Sequence, residues 1–403
     1  MYSRPRTTQE PEFCPNPTCR FYDRITAGES QWHTDHGRFY TKARGWIQRF
    51  RCRSCGKCCS TQTFSVHYWT HSTNDLTWLL QSLYTSSGLR QSARFAGVSY
   101  RVIQNRVRRL ARNCLAVMDA VLSDTQLSED LAMDGFQSFT RSQQHPNNFT
   151  SVVGHDSQFF YSVVHTLFRR GGRMTQRQRA YRQLIDSIWR PDPRALLHDC
   201  SSMLADLTPF IGSACRRRGR MRLLTDCHQS YPQAIASVPA LQAEVDSGRL
   251  VHETTSSRLP RTKKNPLFAV NYLDRQIRKN MGEHVRETVK QGREVNCQME
   301  RMAIFMVMHN FLTPHRVGDE VSVAATTQHA TVACVGSPIV TALLRRLVSR
   351  RHVWGHCRAR HEWIRRIWHH EYENPPQVGV RGGQVVWRFV ALGFRELPAH
   401  FLA

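Results

Sequence analysis

The sequence predicts an α/β (α+β) protein: a mixed sheet with flanking helices, preceded by a small cysteine-rich unit and a helical pair. Three observations predict it. Six of the thirteen cysteines fall within residues 14–59, in two tight sets. Apolar residues then recur at helical spacing from Asn74 to about Leu115. From Asp130 the pattern shortens to that of strands, and strands and helices follow one another to about Lys279.

A chain of 403 residues exceeds what one compact core holds, so two or more folded units are expected. Lys and Arg number 56 against 31 Asp and Glu, a net charge of +25 spread from end to end. Such a field draws polyanions, which leaves nucleic acid or an anionic membrane as partner. The membrane fails on length. The longest apolar run, Ala303 to Leu312, is interrupted by His309 and Asn310, and the opening MYSRPRTTQEPEFC has no apolar signal core. A cytosolic, soluble protein is expected. An odd number of cysteines in such a chain argues for reduced thiols, some of them on metal.

The first unit, residues 1–70, holds Cys14 and Cys19 in CPNPTC and Cys52, Cys55, Cys58 and Cys59 in RFRCRSCGKCCS. A C-x4-C pair and a C-x2-C pair each present two thiolates to one tetrahedral ion, and the 32 residues between them suffice for a hairpin. Cys14, Cys19, Cys52 and Cys55 are the expected zinc ligands of a ribbon. Cys55 and Cys58 share the same spacing and leave the second pair open.

Residues 71–125 read as a helix-turn-helix. Leu89 to Phe95 forms one short helix, Gly97 to Ser99 turns, and Tyr100 to Ala111 forms the second, with Val102, Ile103, Arg106, Val107 and Leu110 at helical spacing. That helix carries Arg101, Gln104, Asn105, Arg108 and Arg109, side chains that suit phosphates and base edges in a major groove. An ordinary helical hairpin with solvated arginines is the alternative.

Residues 126–316 form the sheet unit. Asp130 to Phe136, Phe149 to Gly154 and Gln158 to His165 are three strands of a meander. An Arg-rich helix near 171–192 is an insertion with either a DNA-facing or a merely solvated surface, and a second helix runs from Pro193 to Ile211. A strand at Met221 to Thr225, a helix from Tyr231, a strand at Leu250 to Thr255 and a helix at Leu267 to Lys279 complete the order β-β-β-α-β-α-β-α, that of an RNase H-like sheet. In that order the first and fourth strands are neighbours, so Asp134 in LAMDGF and Asp226 in RLLTDCHQSY meet at one place. A third acid on the last helix completes a set of hard oxygen donors for two magnesium or manganese ions about 4 Å apart. Asp274 is the choice, at the margin of the stripe Val270, Leu273 and Ile277, with Arg275 and Arg278 free for DNA. Glu287 and Glu300 are its rivals. Glu300 lies 74 residues after Asp226 against 48 for Asp274, one helix too late.

Together, CPNPTC with QRFRCRSCGK, GLRQSARFAGVSYRVIQNRVRRL, MDGF, LLTDCHQSYPQA, YLDRQIR, HVRETVKQGR and MHNFLTPHR resemble, in order, the DDE-type insertion-sequence transposases that join a zinc ribbon and helix-turn-helix to an RNase H-like catalytic domain. The resemblance covers most of residues 14–316 and departs from that pattern in having Asp as third acid. It implies a DNA transposase that binds terminal inverted repeats and cuts and joins double-stranded DNA, including target DNA, as a homodimer or higher assembly at the bacterial nucleoid. A non-catalytic DNA-binding regulator and an RNase H-type nuclease are the rival functions. Residues 317–403 match no known pattern; His352, His356, His361, His369 and His370 there, with Cys357 among them, read as solvated side chains before a second metal site, and Val385 to Leu392 as a strand.

Overall fold

The cysteine-rich segment folds around its first hairpin. β1 (His33–Thr41), β2 (Gly45–Cys52) and β3 (Cys58–Ser60) make a three-stranded antiparallel sheet in that order. The β1–β2 turn closes on Gly45, whose φ of +68° disfavours any side chain. The computed structural model describes residues 11–388 apart from positions 12, 17, 23–30, 69, 71–74, 286–287, 316–326, 352–360 and 382–383.

Three helices follow. α1 (Leu76–Tyr84) begins at Asp75, whose carboxylate accepts the backbone N–H groups of Thr77 and Trp78 at 2.8 and 3.1 Å. α2 (Leu89–Phe95) turns through Gly97, at φ +62°, into α3 (Tyr100–Asp124). Ser99 holds the cap position of α3, yet its side chain makes no capping bond. The expected break after Ala111 is absent. Leu110, Cys114, Val117 and Val121 continue one buried stripe, so the second helix and its connector are a single helix of 25 residues.

The main sheet has the order β6-β5-β4-β7-β8. β4 (Leu131–Phe139), β5 (Pro146–Gly154) and β6 (Phe160–Leu167) form the antiparallel meander. β7 (Met221–Asp226) runs parallel to β4, and β8 (Leu250–Thr255) parallel to β7. β5 is buried along its whole length, as a strand covered on both faces must be. Between β6 and β7 come α4 (Gln176–Ile188), opened by a Thr175–Gln178 capping box, and α5 (Ala195–Arg218). Two short helices, α6 (Ser230–Ala236) and α7 (Pro239–Asp246), join β7 to β8 where one was expected. α8 (Phe268–Asn280) then packs against β4 and β5.

α9 (Val295–Leu312) is buried on nearly every side, between α3, α1 and β6. The His309 and Asn310 that interrupt its apolar run both have tasks. Asn310 accepts the Phe160 N–H at 2.8 Å and donates to the Phe160 carbonyl at 3.0 Å, satisfying the free edge of β6. Among the described residues no helix is long and apolar enough to cross a membrane.

The described part of residues 317–388 folds onto the rest of the chain. α10 (His329–Val332) and α11 (Pro338–Arg345) precede α12 (Glu362–His369), and β9 (Gln377–Arg381) pairs with β10 (Gln384–Arg388). Asn113 donates to the carbonyls of Leu347 and Arg350, Arg366 pairs with Asp199 at 2.7 Å, and the Tyr372 N–H reaches Asn296. One buried cluster consequently runs from Phe13 to Tyr372. His361 is buried beside Phe210, and His370 bonds Glu300, so these two are packing and pairing groups instead of solvated ones. His369 stays exposed. His352, His356, Cys357 and residues 389–392 of the expected last strand lie outside the described residues.

Candidate functional site

Two centres are built from residues distant in the chain. The first is the thiol cluster. Cys14 and Cys19 sit on a knuckle tied by the Cys19 N–H to the Asn16 carbonyl, and Cys52 and Cys55 on one tied by the Gly56 N–H to the Cys52 carbonyl. Gly56, at φ +70°, lets that second knuckle close. The four sulfurs lie within 4.8 Å of one another. Cys14 and Cys55 are 3.6 Å apart and Cys19 and Cys52 3.7 Å, close to the edge of about 3.8 Å for a tetrahedron with Zn–S bonds of about 2.3 Å. These contacts are far longer than a disulfide. Burial raises the Cys14 thiol; in Cys55 burial is outweighed by the Lys57 backbone N–H, Asn16 and the neighbouring thiols, which bring it to about 7. Cys58 and Cys59 lie on β3 outside the cluster, which assigns the second pair to Cys52 and Cys55. The group fits one structural zinc.

The second centre lies where β4 and β7 run side by side. Met133 pairs with Thr225, so Asp134 and Asp226, one residue on, stand next to each other. Asp134 accepts the Gly135 N–H at 2.7 Å and Asp226 the His228 N–H at 2.8 Å. Burial, with the Asp226 charge adding to it against Gly135 and Arg261, pushes Asp134 up to about 6. α8 brings in Asp274, which is buried and pushed up to about 8, first by that burial and then by the Asp134 charge, against Arg278 and Arg261. Its Oδ1 is buried with no hydrogen-bond partner. A buried carboxylate near a second one is costly when charged, so Asp274 keeps its proton near neutral pH unless a cation takes the proton's place. Among the described residues only the four thiols come within 4.8 Å of one another as a metal-ligating group, so the three carboxylates are gathered less tightly than they are.

Sequence reasoning missed two contributors. The Tyr231 hydroxyl, at the start of α6, is raised by burial and then by Asp134, Cys200, Asp226 and Asp274, so it sits in the field of all three acids. Arg261 acts on both Asp134 and Asp274 from the exposed segment before α8. The run RTKK and the tyrosine five residues after Asp226 were the available signals.

The rivals for the third acid part company. Glu300 is buried against His370 at 2.6 Å and Arg108 at 3.6 Å, in a pairing separate from Asp134 and Asp226. Glu287 lies outside the described residues. Of the residues expected on DNA, Arg101, Asn105 and Arg275 are exposed and Gln104 and Arg278 half-buried, Arg278 over the Phe136 ring. Arg108 is engaged by Glu300, and Arg109 donates to the Val66 carbonyl at 2.7 Å and to Asn105. The length of α3 explains Arg108: the helix interior is clasped by α9 and α11, so exposed residues fall only near its two ends, while Arg109 turns to the segment before α1. No model of a known family matches the sequence, and no curated protein matches it.

Proposed function

We propose that the chain is a DNA transposase of the DDE type, with an RNase H-like catalytic unit, that cuts and joins DNA using two divalent metal ions. The observation that carries this reading is the convergence of Asp134, Asp226 and the unpartnered Asp274 beside one sheet. Magnesium or manganese held there supplies an activated oxygen nucleophile and charge neutralisation on the phosphate under attack. Asp134, Asp226 and Asp274 hold the ions. Arg261 lies where it balances the acids and faces a phosphate, and Tyr231 walls the site from within. The net charge of +25 and the exposed Arg101, Asn105 and Arg275 support double-stranded DNA as substrate, bound at the element's terminal inverted repeats by the ribbon and the helices behind it. A dimer or larger assembly would bring two ends together. The zinc of the ribbon is structural.

The test is nicking and strand joining of DNA by the full chain with magnesium or manganese. Wild type is expected to yield joined products, and Asp134→Asn, Asp226→Asn and Asp274→Asn to lose at least about a hundredfold in rate while still binding DNA. Cleavage without joining supports a nuclease instead. Binding without any turnover supports a regulator.

A further inference from the structure

The ribbon's first hairpin carries a surface that neither metal centre uses. Among the described residues β1 pairs only with β2, and it is exposed along nearly its whole length. Solvated polar side chains suffice on such a strand, yet this one presents rings. Tyr40 lies directly across from Trp46, the two remain 63% and 49% exposed, and their rings meet edge-on at 5.6 Å. Side chains alternate along a strand, so Arg38 shares that face, and its guanidinium sits 4.6 Å from the Trp46 centroid. Residues 33–52 hold five Lys and Arg against one acid, Asp35, and Lys42 is exposed at the tip.

We propose that this face binds unpaired DNA, with bases stacked on Tyr40 and Trp46 and the phosphates met by Arg38 and Lys42. The chemistry selects the occupant. A duplex keeps its base faces in its own stack and offers edges, which hydrogen-bonding side chains read. Exposed rings recognise base faces that pairing has released, and every base has one, so the contact tolerates any sequence. Arg38 beside the rings and Lys42 at the tip favour a polyanion over an apolar protein partner. The hairpin thus holds a strand whose bases are unpaired, which goes beyond the proposed catalysis and does not depend on it.

The test uses the full chain in one buffer at fixed salt without added divalent metal, so that it succeeds or fails apart from the reaction at Asp134. Anisotropy is followed with a labelled oligothymidylate and with a labelled duplex of the same length. Tyr40→Ala with Trp46→Ala is expected to weaken the oligothymidylate about tenfold or more and the duplex less than about twofold. Tyr40→Phe with Trp46→Phe keeps both ring faces and is expected to bind like wild type. Zinc content reports that the ribbon is intact. Should the alanine pair lose its zinc, Tyr40→Thr, a strand-compatible change, is expected to cost about threefold on the oligothymidylate alone. Equal losses on both probes, no loss on either, or a phenylalanine pair as weak as the alanine pair overturns the proposal. An oligouridylate bound more tightly than the oligothymidylate overturns DNA as the occupant.

Discussion

Gly135 follows Asp134 for a reason of space. A Cβ there would collide with the side chain of Asn148, which is buried and donates to Thr150 Oγ1 at 2.7 Å. Gly135→Ala is expected to cost about 1–3 kcal/mol through overpacking, read as a lower unfolding midpoint. The acids themselves are held at a loss. Because Asp134 and Asp274 sit above the ordinary carboxylate range, folding grows less favourable as pH rises from about 4 through 6 and 8, where each must ionise in its buried place. Asp274→Asn is therefore expected to raise the midpoint of the metal-free protein at pH 8. The same substitution should abolish the further rise that magnesium gives wild type, since an ion stabilises only the fold that binds it. A wild-type midpoint indifferent to magnesium counts against the site.

Among the elements, the knuckles and the strands were the most legible. Cysteine spacing names its own pairs, but whether Cys55 or Cys58 completes the set depends on where β3 begins, and the strand takes Cys58 away from the cluster. Cys55→Ser is expected to lose the zinc and Cys58→Ser to keep one ion per chain, measured by metal analysis of the purified protein. The strands carrying Asp134 and Asp226 were evident because short apolar runs end at polar turns. Helix α3 was less so. Its first turns resemble a free recognition helix, while the burial of its later turns comes from helices that arrive much later in the chain. Arg108 and Arg109 accordingly serve the protein's own contacts.

Across the whole molecule, burial reaches polar groups far from either centre. His67, His145 and His329 are pushed down to about 4, and His165, His284 and His309 to about 3, in each case by burial before any neighbouring charge. Each is neutral in the fold and takes a proton when unfolded, so the stability they contribute is complete above about pH 6.5 and is lost as pH falls towards 4 and 3. Asp134, Asp199, Asp206 and Asp274 are raised and act in the opposite sense, but four carboxyls face eight histidines, since burial lowers His252 and His369 too. The midpoint for urea unfolding is expected to fall steadily between pH 6.5 and 4; a flat profile would contradict the neutral burial of these rings. The C-terminal helices share in this one core, and removing them would expose α3 and α9.

The sequence by itself determined where both centres lie, because the paired spacing of the cysteines within residues 14–59 and the placing of Asp134 and Asp226 after short apolar runs are local facts. It also determined the charge that favours a polyanion. Only the tertiary structure decided that Asp274 and not Glu300 joins the aspartate pair, that Tyr231 and Arg261 attend it, and that Tyr40 and Trp46 stay in the open. Those outcomes depend on which helix crosses which strand and on what covers a hairpin, and contacts between residues far apart in the chain leave no periodic mark within it.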